Sequence, residues 1–332
     1  MIDCRIQNRI GIITLNRPEK LNALNVFMFE SIAHHLDLWE MDPGVDLVVI
    51  RSAVDRAFSA GGDLRILYDI DQQYPKDEAY KKFDDFFAFE YTLNERIHGY
   101  KKPYIALIHG IAMGGGLGVS MHGRYRIVSE NVTIAMPECA VGFFPDIVST
   151  AFLRHCPGFM GSFLAVTGYR LNAADALDTG LATHFIPKDL FDVFVEALCQ
   201  APTAGQGEAV LLELLDHFGG GEVPVAPTLS PRQELIDEAF SKETLDDALI
   251  VLKLSKDPWC QKILRDLALS SPLSLGLTYD HFKNIKGKSF KSLKEMDQKL
   301  ASYCLQHGDF LEGIRAKIVD KDNRPRWQKN FS

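Results

Sequence analysis

The apolar positions along the chain change period several times, and the changes mark out its elements. "RIGIITLNRP" is a short apolar run stopped by Asn16, Arg17 and Pro18, which predicts a strand. From Asn25 the period becomes helical. Phe29, Ile32, Ala33, Leu36 and Trp39 form one stripe, and Asn25 stands where it can cap a helix reaching about Glu40. "DLVVIRS" is almost continuously apolar, as expected of a strand covered on both faces. A polar loop, "AVDRAFSAGGDLR", follows, and then a helical stretch from about Asp77 to Ile97 rich in Phe and Tyr. Lys102 and Pro103 introduce the strand "YIALIH", with a glycine loop and a helix behind it. "YRIVS" and "VTIAM" predict two more strands, and "ATHFIP" a late one in a pattern that is otherwise helical after Pro145.

Strand–loop–helix units repeated in this way indicate an α/β fold with a parallel component. From about Gly205 only helical patterns remain, and "GGGEVPVAPTLSPR" reads as a linker or exposed loop. The expected organisation is an α/β core over residues 1–200 and a helical region over 201–332. Composition narrows the function classes. A formal charge of −8 argues against a nucleic-acid binder. The six cysteines are scattered without a C-x-x-C pair, which suits free thiols in a reducing compartment. No run approaches the roughly 18 apolar residues of a membrane span. The N-terminus reads into a strand rather than a signal peptide, so a cytoplasmic protein is expected.

Two glycine loops carry the first candidate chemistry. "FSAGGD" and "HGIAMGGG" each follow an apolar strand, yet neither fits a nucleotide loop. The second lacks the Lys-Ser/Thr pair of a Walker A loop, and Val119 stands at the last glycine position of G-x-G-x-x-G counted from Gly114. Two such turns can aim two backbone N–H groups at one point, an oxyanion hole, because glycine permits positive φ and has no Cβ to obstruct a substrate. Tight turns and close helix packing explain the same glycines, and on the glycines alone that reading comes first.

The acids come next. "MPECAVGFFPD" sets Glu138 and Asp146 around an apolar stretch that Gly142 and Pro145 keep from being one helix. Two carboxylates on such a loop can work as a pair, one as base or nucleophile and one orienting or donating. Equally, Asp146 can cap the helix expected from "IVSTAFLRH", and Glu138 can be a solvated loop acid. Glu90, in "FFAFEYTLNERI", is either half buried with a raised pKa or the solvated position of its helix, and the solvated reading comes first. His34 and His35 are adjacent rather than four apart, which does not suit a metal pair. Cys139 has no local activating partner, and no G-x-S-x-G elbow is present. The six lysines from Lys283 to Lys299 read as a solvated helix face.

Taken in order, "ITLNRPEKLNALN", "AFSAGGDL", "KPYIALIHGIAMGGGLGVSMHG" and "AMPECAVGFFPD" resemble the crotonase (enoyl-CoA hydratase/isomerase) superfamily over nearly the whole chain. Three features are most similar to its 3-hydroxyisobutyryl-CoA hydrolase branch: "MPE" followed by "GFFPD", Glu90 upstream of "KPYIALIHG", and the tail "DFLEGIRAKIVDKDNRPRW". The resemblance implies a crotonase-like spiral of repeated β-β-α units with a helical C-terminal region. It implies Gly62 and Gly115 as oxyanion donors, Glu138 as the catalytic glutamate, Asp146 as the branch's second acid and Glu90 as a substrate contact. It also implies that Lys20, Leu21, Asn22, Ala23 and Leu24 line the CoA channel with backbone groups. Hydratases of the superfamily carry a second glutamate at the position matching Gly118, so its absence disfavours two-acid hydration. The branch usually continues "FPD" with a glycine pair, where this chain has Ile147, Val148, Ser149 and Thr150. Bulkier residues there would be expected to narrow the acyl pocket or move Asp146.

The expectation is therefore hydrolysis of a short β-hydroxyacyl-CoA, from 3-hydroxyisobutyryl-CoA to 3-hydroxyisobutyrate and CoA, a step of valine catabolism. Glu138 would serve as nucleophile or as base for water. No metal and no redox cofactor is expected, since coenzyme A arrives as part of the substrate. Two alternatives stay open: an enoyl-CoA hydratase or isomerase using Glu138 alone, and a non-catalytic acyl-CoA-binding protein of the same fold. Relatives are often trimer-based, which leaves a homo-oligomer open, while a helical C-terminal region can also fold back on its own core.

Overall fold

In the computed structural model, which describes residues 1–328, the apolar runs become the strands of the first of two units. That unit holds Met1–Gly62, Thr92–Ile134 and Leu171–Ser230, and the second holds Asp63–Tyr91, Ala135–Arg170 and the described chain from Pro231. Of the helical region expected over 201–332, residues 329–332 lie outside the described residues.

The strands are β1 (Ile2–Gln7), β2 (Ile10–Leu15), β3 (Leu47–Ser52), β4 (Ala57–Ser59), β5 (Tyr104–Ile108), β6 (Ile111–Met113), β7 (Tyr125–Val128), β8 (Thr133–Ala135) and β9 (His184–Phe185). β1 and β2 form a hairpin across Asn8 and Arg9, whose φ angles of 45° and 71° give the turn hand that matches strand twist. The larger sheet has the order β1-β2-β3-β5-β7-β9 and is parallel beyond its first pair, while β4-β6-β8 make a second sheet. From β3 onward, successive strands thus alternate between the two sheets, which is the expected β-β-α spiral. Ile10, Ile12, Leu47, Val49, Ile105 and Leu107 point to one face. There they pack on Phe191, Phe194, Leu198, Leu211 and Leu215 from the helices Phe191–Gln200 and Gly207–Phe218. Ile13, Val48, Ile50, Ala106 and Ile108 are fully buried on the other face, so the near-continuous apolar runs follow from double coverage.

Helix α1 (Val26–Met41) is capped as expected, with the Asn25 side chain accepting from the Met28 N–H. Helix α2 (Arg65–Gln73) has no counterpart in the hydrophobic pattern, whereas α3 (Lys76–His98) matches the aromatic stretch. The stretch read as a polar loop contains β4, whose Ala57, Phe58 and Ser59 are all fully buried. Three residues are too few for a period to show, and β4 exists because β6 lies beside it. After β6 the chain enters the short helix α4 (Gly115–Gly118).

The second unit is helical, and its helix starts are written in the sequence. Thr244, Asp257, Ser271 and Ser289 each cap a helix with a side-chain oxygen, two of them ahead of a proline in the first turn. One aromatic cluster joins Phe163 to Phe240 and Trp259, each with ring centroids 5.4 Å apart. A second stacks Phe143 between Phe87 of α3, at 5.3 Å, and Phe310, at 4.2 Å.

Gly116 shows how closely the loops of the first unit meet: a Cβ there would lie 2.7 Å from the Ser59 Cβ and 2.8 Å from the Ser59 carbonyl oxygen. Gly116→Ala is therefore expected to destabilise the fold by roughly 1–3 kcal/mol, the usual range for overpacking. Urea unfolding checks it, and an unchanged midpoint would contradict the close packing.

Candidate active site

In the first unit the glycine loops meet. Gly61, with φ of 107°, would carry a Cβ 3.2 Å from the Met113 carbonyl oxygen and 3.6 Å from the Gly115 nitrogen. The segment from Lys20 to Leu24 is threaded against the same loop. The Leu24 N–H donates to the Gly61 carbonyl at 2.7 Å, and the Ala60 N–H donates to the Leu21 carbonyl at 2.9 Å. Leu21 and Asn22 take the left-handed conformation, with φ of 48° and 55°. Asn22 is fully buried; its amide donates to Ser52 Oγ at 2.8 Å and to the Phe58 carbonyl at 3.0 Å, and its Oδ1 accepts from the Arg17 N–H at 2.6 Å. The N–H groups of Leu21, Asn22, Ala23 and Leu24 are all spent inside the protein. Among the described residues, those of Gly62 and Gly115 have no acceptor. An oxyanion hole requires two unspent donors aimed at one point. The packing reading of the glycines also holds, for Gly116.

The second unit gathers the acids. Glu90 lies on α3, Glu138 opens a short 3-10 turn (Glu138–Val141) behind Pro137, and Asp146 follows Pro145. All three are buried, with 3%, 9% and 6% of their surface exposed, which overturns the solvated readings of Glu90 and Glu138. Asp146 does not cap the next helix, α5 (Thr150–Leu153). That helix has no side-chain cap, and the Asp146 Oδ2 instead accepts from the Tyr91 hydroxyl at 2.8 Å. Among the described residues, Glu90 Oε1 and Glu138 Oε2 have no hydrogen-bond partner.

The Glu138 turn is held from behind. The Ser271 N–H donates to the Cys139 carbonyl at 3.1 Å, and Cys139 Sγ lies 3.3 Å from Thr278 Oγ1. Burial pushes the Cys139 thiol up to about 12, in keeping with an inert cysteine. Gly142 and Gly313 let backbones touch: a Cβ would sit 2.5 Å from the Asp309 carbonyl oxygen at the first and 2.0 Å from that of Val141 at the second. The distinctive tail thus packs directly on the turn that carries Glu138.

Burial is the main cause of every shift among these acids. It raises Glu138 well above the usual carboxylate range, helped by the charge of Asp146. It raises Glu90 likewise, with Asp146 and Glu138 adding to the effect. Asp146 is brought up to about 7, with Tyr91 pulling down and the charge of Asp297 pushing up. A cluster of this kind can hold a protonated acid beside an ionised one at neutral pH, as general acid–base chemistry requires.

The sequence pattern did not single out Tyr91, His281 or Asp297. Ile147 and Val148, directly after Asp146, both adopt the left-handed conformation, with φ of 55° and 53°. For residues other than glycine this costs roughly 1–2 kcal/mol each. The Val148 N–H donates to Asp297 Oδ2 at 2.8 Å, and His281 Nε2 bonds Asp297 Oδ1 at 2.9 Å. Both chains of that pair are buried. Asp297 breaks an otherwise apolar helix stripe of Leu293, Ala301, Cys304 and Leu305, which is the signal that could have found it. The lysines from Lys283 to Lys299 are exposed or half-buried, as a solvated face would have them.

Residues 10–331 match the enoyl-CoA hydratase/isomerase family. A curated relative named 3-hydroxyisobutyryl-CoA hydrolase, mitochondrial, from Xenopus laevis, is 36% identical over 96% of this chain and 82% of its own. A solved enoyl-CoA hydratase from Rhodobacter sphaeroides is 34% identical, with a TM-score of 0.87 over 99% of this chain and 92% of that one. A solved carnitinyl-CoA dehydratase from Mycobacterium thermoresistibile is 32% identical, also with a TM-score of 0.87, over 98% of this chain and 91% of that one.

The raised pKa of Asp146 makes stability depend on pH. Its folded form binds the proton more tightly than the unfolded chain, so the stabilising contribution is complete below the ordinary carboxylate range and is lost as pH rises to about 7. The melting temperature of the protein is expected to fall more steeply between about pH 5 and about pH 8 than that of Asp146→Asn. Parallel curves in a calorimetric pH series would contradict the shift.

Proposed function

The chain belongs to the enoyl-CoA hydratase/isomerase family, and from that premise we propose that it hydrolyses a short 3-hydroxyacyl-CoA thioester, with 3-hydroxyisobutyryl-CoA as substrate. The observation that carries this reading is where the carboxyl groups lie. Glu138 shares its buried cluster with Asp146 and Glu90, while the stretch from Met113 to Gly123, around α4, carries no acid. A second acid supplied by the Asp146 turn suits thioester cleavage, and Gly118 leaves no carboxylate where two-acid hydration would use one.

In this reading the Gly62 and Gly115 N–H groups receive the thioester oxygen and stabilise the negative charge that develops on it. Glu138 takes a proton from water, the resulting hydroxide adds to the carbonyl carbon, and the C–S bond breaks. Alternatively Glu138 itself adds to the carbon, and water then cleaves the acyl-enzyme anhydride. Both routes yield the free hydroxy acid and CoA thiol. A proton held by the acid cluster passes through Asp146 to the departing sulfur, and Glu90 holds the 3-hydroxyl. A buried site that bonds a hydroxyl rejects analogues lacking it more strongly than an apolar pocket sorts methyl groups. The reaction as written consumes only water.

The names of the solved relatives make hydration the second reading. Incubation with crotonyl-CoA separates the two, since hydration removes the absorbance of the conjugated double bond and hydrolysis releases thiol. The protein is expected to release thiol from 3-hydroxyisobutyryl-CoA, and Glu138→Gln to lose about 10²–10⁴-fold in kcat. Undiminished turnover in that variant would remove Glu138 from the reaction. Saturable CoA binding with no thiol release from any short acyl-CoA would favour a binding protein instead.

A further inference from the structure

Two buried, β-branched residues in the left-handed conformation directly after a buried acid require something to hold them there. The Ile147 N–H bonds the Asp146 carboxylate, and the Tyr91 hydroxyl bonds the same carboxylate at 2.8 Å. The direction of the Asp146 carboxylate is thus tied to the orientation of the Ile147–Val148 backbone. That backbone is fixed one residue later, where the Val148 N–H donates to Asp297 Oδ2 at 2.8 Å. Asp297 is fully buried and is itself oriented by His281 Nε2 at 2.9 Å. His281 is positioned in turn by the Phe144 ring, whose centroid lies 5.6 Å from its own. A chain of contacts therefore runs from the helix Pro272–Lys283 through the helix Phe290–His307 to the turn that carries the acid.

We propose that Asp297, oriented by His281, is a positioning residue for Asp146, holding the Ile147–Val148 turn in the left-handed conformation that aims the Asp146 carboxylate. The proposal rests on the reading of Asp146 as a participant in thioester hydrolysis. It gives the departure from a glycine pair a mechanical consequence. Glycine adopts this conformation freely, whereas isoleucine and valine need an anchor to keep it. Asp297 offers one oxygen to the turn and the other to His281, so the anchor is itself fixed at both oxygens. Truncating it releases the turn to conformations that β-branched residues prefer, and these carry the Asp146 carboxylate away from the Tyr91 hydroxyl.

The test is steady-state thiol release from 3-hydroxyisobutyryl-CoA by the full chain and a set of its variants. Asp146→Asn reports whether the acid takes part at all. Asp297→Ala is expected to lower kcat at least about tenfold while KM stays within about twofold, because the carboxylate is misdirected and the rest of the substrate site is intact. Asp297→Asn, whose amide oxygen can still accept from Val148, is expected to recover most of that loss. Combining Asp297→Ala with Ile147→Gly and Val148→Gly is expected to show a smaller loss, relative to the doubly glycine-substituted chain, than Asp297→Ala shows alone. Equal losses in the two backgrounds, or an undiminished kcat in Asp297→Ala, overturn the inference. Should Asp297→Ala not fold, His281→Ala reads the same device by loosening the acceptor of the Val148 bond. It is then expected to lower kcat several-fold at constant KM, and an undiminished kcat overturns the proposal. A chain that releases thiol from none of the short acyl-CoAs ends the hydrolase reading and this inference with it. A chain that loses kcat in Asp146→Asn but keeps it in Asp297→Ala ends this inference alone.

Discussion

Glu90, Glu138 and Asp146 share the interior of one unit, and none of them is paired with a cation among the described residues. An ionised carboxylate in such surroundings costs several kcal/mol even after the protein relaxes, and each further charge in the cluster costs more. At neutral pH, then, only part of the cluster is ionised. That constraint works against folding, yet it is also what lets one acid donate a proton while its neighbour accepts one. The scaffold around the cluster is correspondingly firm. Phe143 is stacked between Phe87 and Phe310, the tail touches the Glu138 turn through Gly142 and Gly313, and Ser271 holds the Cys139 carbonyl.

The loops of the first unit meet a complementary requirement. Buried backbone N–H groups normally find acceptors, so a donor left over at a folded loop is available to a ligand. The segment from Lys20 to Leu24 spends most of its donors within its own turn and one, the Leu24 N–H, on the Gly61 carbonyl, while the buried Asn22 amide reaches Ser52 and the Phe58 carbonyl. Among the described residues, the N–H groups of Gly62 and Gly115 remain unspent on the loops that these bonds hold. A rigid donor needs no reorganisation when charge appears on a substrate oxygen, which is where most of the benefit of an oxyanion hole arises.

The doubly covered strands are legible in the sequence and the three-residue β4 and β6 are not, for a physical reason. β2, β3 and β5 are five or six residues of doubly covered strand, so their apolar runs stand out. β4 and β6 have three residues each and depend on one another for pairing, so no local pattern announces them. The acids were found as residues, but their burial was not. The groups that enclose the Glu138 turn come from α3 and from the far end of the chain. Asp297 lies 149 residues from the backbone group it holds, a separation at which sequence offers only the hint of an acid on an apolar stripe.

The Ile147–Val148 pair shows how a strained conformation can persist without a net cost to the fold. Each residue gives up roughly 1–2 kcal/mol by entering the left-handed region. Each also buries an apolar side chain completely, which is worth about 1.5–3 kcal/mol relative to exposure. The two effects are of similar size, with burial the larger, so exchanging a glycine pair for this one need not lower stability. What changes is how the conformation is secured. A glycine turn is at ease in this geometry, while a β-branched turn stays in it only if contacts elsewhere fix it, and here Asp297 and His281 provide that fixation from two other helices. The orientation of Asp146 thereby depends on tertiary packing as well as on the local chain, because the backbone that bonds its carboxylate is itself held from those two helices.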